Sequence, residues 1–246
     1  MVAAILGYLL SLATAAALFY WLRSLRKDDA YRRLCNKALQ KGVVCSFVIL
    51  AVSGALYVAL RLTGLREMNP LLYQALYTGI VLALAEEAVK FLTSRRVLRK
   101  TAYPYSWMDV ALVMTLVGVG FGAEENIAVA INSNMMVMLI RALCIAHGSY
   151  GFLTGYFYGK GLKTGKNRYK VIGFVLTWLL HGLYDFSLSE EFVAINDNLK
   201  IVAVALAMID IVLEVVMIVF FAKARKNELY TEPLRKVEMA PENAEI

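Results

Sequence analysis

The chain has 246 residues, of which 60% are apolar and 18% charged, and its mean hydropathy is +0.60. A soluble domain is about half apolar and a quarter charged, so this composition excludes a soluble globular enzyme, a disordered chain and a disulfide scaffold, and leaves a polytopic membrane protein. The net charge of +7 comes from short Lys/Arg clusters between apolar windows and not from one basic face, which argues for membrane topology and against a nucleic-acid partner.

Seven apolar windows follow one another: about Val2 to Leu22, Val43 to Leu62, Leu71 to Leu92, Trp107 to Ile131, Met136 to Tyr158, Val171 to Leu188 and Ile201 to Ala222. Each approaches the roughly 20 residues that cross a hydrocarbon core. Each is expected to be helical, because irregular backbone in lipid leaves its polar groups unpaired. The first window has no positive segment before it, and Arg23, Arg26 and Lys27 follow it, so it reads as a span and not as a cleaved signal peptide.

The connections alternate in charge. The first (Arg23, Arg26, Lys27, Arg32, Arg33, Lys37, Lys41), third (Arg95, Arg96, Arg99, Lys100) and fifth (Lys160, Lys163, Lys166, Arg168, Lys170) are basic. The second pairs Arg66 with Glu67, the fourth (Asn-Ser-Asn, 132–134) is uncharged, and the sixth carries Glu190, Glu191 and Asp197 before Lys200. Basic loops stay cytoplasmic, which predicts an all-α, seven-span bundle with the N-terminus outside and the C-terminus inside. One membrane domain is expected over 1–222, followed by a polar cytoplasmic tail over 223–246 whose last twenty or so residues are expected to be disordered. Cys35, Cys45 and Cys144 show no paired spacing and read as free thiols.

Charged side chains inside spans are expensive, about 2.5 to 3.5 kcal/mol each on the insertion scale, and they usually face a bundle interior or a wet cavity. Here the third window holds Glu86, Glu87 and Lys90; the fourth holds Asp109, then Glu124, Glu125 and Asn126. Arg141 and His147 lie in the fifth, His181 and Asp185 in the sixth, and Asp210 and Glu214 in the seventh. Glu86 and Lys90 share a helix face at a spacing of four. Gly118, Phe121, Gly122 and Glu125 form one stripe, and His147 shares a stripe with Gly151 and Gly155, so carriers of chemistry sit beside close helix contacts. His181 and Asp185 are also four apart, close enough for the carboxylate to orient the imidazole or for both to be ligands. Asp210 and Glu214 are expected to pair with Lys90 or Arg141. Carboxylates beside imidazoles suit water activation by a general base, and the same groups offer ligands for zinc, with His147, His181 and Glu87 as the candidate set.

These blocks resemble the PrsW family of intramembrane proteases, a branch of the group that includes CAAX prenyl endopeptidases and bacteriocin-processing proteases. EEAVK at 86–90 resembles the family's EExxK; Asp109 followed by GVGFGAEEN resembles its Asp…GxGF…EN stretch; Arg141 to His147 and the following glycines resemble its third block; HGLYD at 181–185 resembles HxxxD. The blocks stand in the family's order over about 100 residues. Ala146 stands where the family's proline is expected, and Glu124 doubles the acid before Glu125-Asn126.

The resemblance implies cleavage of a membrane-anchored protein or peptide, such as an anti-sigma factor, in the bacterial plasma membrane. It implies that Glu86 and Glu87 include the base that activates water, with His147 beside it, and that His181, positioned by Asp185, binds the oxyanion or a metal. Lys90, Asn126, Asp109 and Arg141 would support them. Both a zinc-dependent and a metal-free, glutamate-dependent route stay open. A straight fourth helix keeps Glu125 about 24 Å from Asp109, so either Glu125 lies away from the centre or the glycines at 118–122 break the helix; Glu86, Glu87, His147 and His181 therefore rank above it. Three other readings remain: a proton-coupled seven-helix transporter or channel, a catalytically silent adaptor, and a CAAX-type prenyl endopeptidase, in whose EExxxR motif Phe91 takes the place of the Arg.

Overall fold

A computed structural model describes residues 2–132 and 135–234. In chain order the helices are α1 (Val2–Ser24), α2 (Asp29–Arg61), α3 (Leu65–Met68), α4 (Pro70–Leu76), α5 (Ala85–Arg99), α6 (Trp107–Asn132), α7 (Met135–Leu143), α8 (Ala146–Thr164), α9 (Asn167–Ser187), α10 (Glu190–Val193), α11 (Lys200–Ala224) and α12 (Glu228–Thr231). A π-helical segment, Tyr77–Leu84, joins α4 to α5. Among the described residues there is no strand, only an isolated bridge between Ser106 and Pro233.

Among the described residues, five stretches are long and apolar enough to cross a membrane: Ile5–Ser24, Asp29–Arg61, Trp107–Ile131, Val137–Thr164 and Lys200–Ala224. The third and sixth expected windows are helical as well. The third is the α4–α5 run, divided by the π-helical segment, and the sixth is α9, which carries His181 and Asp185.

Three boundaries depart from the sequence reading. The first connection is only residues 25–28, because the Asp28 carboxylate accepts the Tyr31 N–H at 2.7 Å and starts α2 at Asp29. Arg32, Arg33, Lys37 and Lys41 therefore ride on helix, not loop. The fifth window is not one helix: it breaks at Cys144–Ile145, between α7 and α8, without a proline. Glu214 Oε2 accepts the Ile145 N–H at 3.2 Å, so α11 satisfies a backbone donor that the break would leave unpaired. The expected tail begins as structure, since α11 runs to Ala224, α12 follows, and the Leu234 N–H donates to the Tyr105 carbonyl at 3.0 Å. Residues 235–246 of that tail and Ser133 and Asn134 of the uncharged connection lie outside the described residues.

Helix α6 is the axis. Val110 to Val113, Leu116 and Val117 are fully buried, as expected of a helix that is apolar all round. Helices α1, α2, α5 and α8 pack around it. The α6–α8 contact is backbone on backbone: a Cβ on Gly118 would lie 1.9 Å from the His147 carbonyl oxygen, and one on Gly151 would lie 2.2 Å from that of Met114. This approach, foreshadowed by the two glycine stripes, sets His147 against α6.

The basic segments meet at one end of the bundle. Arg26 donates to the Tyr103 hydroxyl at 2.6 Å and pairs with Asp109 at 3.3 Å; Lys37 reaches the Lys100 carbonyl at 3.5 Å; Lys163 pairs with Glu232 at 2.7 Å. Burial and the Asp109 charge push the Tyr103 hydroxyl up to about 12, so it stays protonated.

Gly118→Ala is expected to lose most of the folded protein, read as the monodisperse fraction after detergent extraction and as a fall in melting temperature. Gly54→Ala, where an added Cβ meets nothing within 4 Å, is expected to be neutral or slightly stabilising. Equal behaviour of the two variants would contradict the close α6–α8 packing.

Candidate active site

The π-helical segment ends where the acidic pair begins. Its i→i+5 pattern loosens the ladder, and the Gly79 carbonyl accepts the Trp178 indole N–H at 2.6 Å, fastening α9 alongside. Three residues beyond Trp178 on the same helix comes His181, whose ring is thus carried up against the start of α5. Glu86, Glu87, Lys90 and His181 are all buried.

The ammonium of Lys90 lies 2.6 Å from Glu87 Oε1 and 3.7 Å from Glu86 Oε2. It also donates to His147 Nδ1 at 3.1 Å and sits 4.7 Å from the centre of the Phe121 ring. One cation therefore ties α5 to α6 and to the first turn of α8. Glu87 Oε1 accepts from His181 Nδ1 at 2.9 Å. That bond turns His181 Nε2 inward, 3.8 Å from Glu86 Oε2 and 3.4 Å from Asp185 Oδ2. The i,i+4 spacing had suggested Asp185 as the orienting carboxylate; in the fold Glu87 makes the hydrogen bond to His181, and Asp185 stands beside the inward nitrogen.

On the other side His147 Nε2 meets Glu125 Oε2 at 2.8 Å. Arg141 donates to the same Glu125 oxygen, and its Nε donates to Asn126 Oδ1 at 2.6 Å. Asn126 in turn donates to Ser11 Oγ at 3.3 Å, linking α1 to the group. Glu125 reaches the centre although α6 is unbroken, so neither of the two expected alternatives holds. The reason is helix length. α5 continues past its apolar window to Arg99, which sets Glu86 about 20 Å from the basic end, against about 27 Å for Glu125 from Trp107. Side-chain reach and the depth of His147 on α8 close the remainder.

Asp109 lies elsewhere, at the basic end, where it accepts from the Ser106 backbone and hydroxyl and pairs with Arg26. Asp210 and Glu214 pair with neither Lys90 nor Arg141: Asp210 accepts the Tyr150 hydroxyl at 2.9 Å and Glu214 caps the α7–α8 break. Buried Lys90 already has two closer carboxylates, and Arg141 is taken up by Glu125 and Asn126. The sequence reading missed Tyr150, whose ring lies 5.2 Å from that of His181; its place three residues after His147, on the same helix face, is the signal that could have found it.

Glu86, His147 and His181 each offer a ligand atom within 4.8 Å of the others. Glu87, which the sequence reading had grouped with the two histidines, is hydrogen-bonded by Lys90 and His181. Among the described residues, buried Glu86 Oε2 has no hydrogen-bond partner. A cavity of about 90 Å³ reaches His147 and His181, with Ser11, Glu125, Arg141, Tyr184, Asp185 and Asp210 also in its wall.

Residues 32–222 match the family described as PrsW family intramembrane metalloprotease. Protease PrsW of Oceanobacillus iheyensis is 30% identical over 112 residues, covering 44% of this chain and 52% of that protein, so the match spans about half the length of the relative. No solved structure matches the chain.

Breaking the Lys90–Glu87 contact strands buried carboxylates. Lys90→Met is expected to destabilise the protein by about 3 to 5 kcal/mol, measured by denaturant unfolding in detergent. Lys90→Met combined with Glu87→Gln is expected to recover at least about 1 kcal/mol of that loss, because the stranded charge is removed with its partner. Strict additivity of the two changes would show that the pair is not coupled.

Proposed function

The chain belongs to the PrsW family of intramembrane metalloproteases, and from that premise we propose that it hydrolyses peptide bonds of membrane-anchored proteins at the Glu86–His147–His181 cluster. The observation that carries this reading is Glu86 Oε2: buried, without a hydrogen-bond partner among the described residues, and 3.8 Å from the inward nitrogen of His181. That separation is too long for a hydrogen bond and leaves room for a third species between the two. One carboxylate with two imidazoles is a donor set of hydrolytic zinc sites, so the residues present fit a metal.

Glu86, His147 and His181 would hold that ion. When bound it supplies a Lewis acid in a site from which bulk water is largely excluded. His181 enters with its tautomer set by Glu87, whose charge Lys90 balances. His147 has both ring nitrogens engaged, by Lys90 and by Glu125, and gives up one of them to bind. Glu125 is the carboxylate in the cavity wall. Its Oε2 is held by Arg141 and His147, and its Oε1 accepts the proton of the attacking water. Arg141 and Asn126 keep Glu125 in place; Asp185, 3.4 Å from His181 Nε2, steadies the positive charge that gathers there.

The gathered basic segments point to a cytoplasmic face at that end, with seven crossings, the N-terminus outside and the C-terminus inside. On that placement the cluster lies about 20 Å along α5 from the charged end, within the hydrocarbon layer. The substrate is then a segment of a membrane-anchored protein, of the anti-sigma-factor type. The family match favours neither the transporter reading nor the CAAX-type reading.

The test is cleavage of a single-span substrate by the purified full-length chain in nanodiscs, with zinc content measured in parallel. Glu86→Gln, His147→Ala and His181→Ala are expected to lower kcat at least about 10³-fold and to lose the zinc while still eluting as monodisperse protein. Glu125→Gln is expected to keep the zinc and lose about 10²- to 10⁴-fold in kcat. Wild-type turnover in Glu86→Gln would overturn the assignment.

A further inference from the structure

A second cavity lies away from this cluster, in the groove between α2 and α5 near the basic end of the bundle. Lys37, Lys41, Arg96 and Lys100 ring it, and Val44, Val48 and Val97 form its floor, with Cys45 and Thr93 also in the lining. It holds about 280 Å³. No carboxylate lines it, and among the described residues none of the four cations pairs with one; the contact recorded across the mouth is from Lys37 Nζ to the Lys100 carbonyl at 3.5 Å. Four like charges converging without a counter-charge call for an anionic ligand.

The helices say what kind of anion. Along α2 the positions Lys37, Lys41, Val44 and Val48 are spaced four, three and four apart, so they form one stripe that changes from cationic to apolar over about 16 Å. Beyond Lys41, α2 has no charged residue until Arg61, so the change falls where the helix enters the hydrocarbon. On α5 the facing stripe is Thr93, Arg96 and Val97, followed by Lys100 just past the helix end, charged towards the same end. Val44 and Val48 are 52% and 51% exposed and Phe47 beside them 65%, so the floor of the groove runs on into surface that lipid covers. A headgroup phosphate suits the upper part and an acyl chain the lower; a small soluble anion would leave the apolar half without a partner.

We propose that the α2–α5 groove is a binding site for an anionic phospholipid, its phosphate held by Lys37, Lys41, Arg96 and Lys100 and one acyl chain lying over Val44 and Val48. Basic pockets between spanning helices take such headgroups, and each Lys or Arg near the charge adds to the attraction. The site is separate from the catalytic cluster, and its occupation is independent of whether the chain cleaves peptides.

The test uses the intact chain in neutral detergent, titrated with fluorescent phosphatidylglycerol and with the matching phosphatidylcholine. Wild type is expected to bind phosphatidylglycerol saturably at least tenfold more tightly than phosphatidylcholine. Lys41→Gln with Arg96→Gln is expected to weaken phosphatidylglycerol at least tenfold and leave phosphatidylcholine unchanged. Val48→Trp, which fills the floor without altering charge, is expected to weaken it at least threefold. Arg225→Gln with Lys226→Gln removes the same charge from an exposed position elsewhere and is expected to have no effect. Equal loss in that control would reduce the binding to net charge and overturn the proposal. So would full displacement of the lipid by millimolar inorganic phosphate, which would make the ligand a free anion, or unchanged binding in both groove variants.

Discussion

The Lys90 ammonium is the contact on which the buried polar centre depends. It touches two carboxylates of its own helix, the Nδ1 of His147 on α8 and the face of Phe121 on α6. A charge in such a place is tolerated only because its neighbours replace hydration, and the same neighbours then cannot move far without stranding it. Through Glu87 the constraint passes to His181, whose outer nitrogen is held so that the inner one faces Glu86. The orientation of one imidazole is thus fixed by a cation that does not itself reach the cavity.

Close backbone packing supplies the second constraint. Helix α6 and α8 approach at Gly118 and Gly151 until only hydrogen fits, and this puts His147 in reach of Glu125. Arg141 and His147, on either side of the break at Cys144–Ile145, converge on the same carboxylate. Breaking a helix inside a membrane frees backbone groups; Glu214 accepts one of them from α11. That gives a structural purpose to an acid that spacing alone could not place.

Charge works differently at the two ends of the chemistry. Inside, each cation lies against carboxylates, Lys90 against Glu87 and Glu86 and Arg141 against Glu125. At the basic end, Arg26 with Asp109 and Lys163 with Glu232 are matched across connections, while the α2–α5 groove gathers cations with none. A surplus at a membrane boundary costs little where anionic lipid is at hand, whereas a surplus in the hydrocarbon would not persist.

Much of this was legible in the sequence. Apolar windows determine that the chain is a helical membrane protein, because lipid admits few other ways to pair a backbone, and polar residues in those windows mark the centre because each is costly there. The glycine stripes announce close packing, and the ordered blocks from Glu86 to Asp185 announce the family. Periodicity, however, describes one helix at a time. That α5 outruns its apolar window, that α7 and α8 are two helices, that Glu86 comes within 4.8 Å of both imidazoles, and that Glu125 joins them from a continuous α6 are matters of relative depth and rotation between helices. Tertiary packing decides these, since burial energy fixes how far each helix slides and turns against its neighbours, and no spacing within a single helix records that.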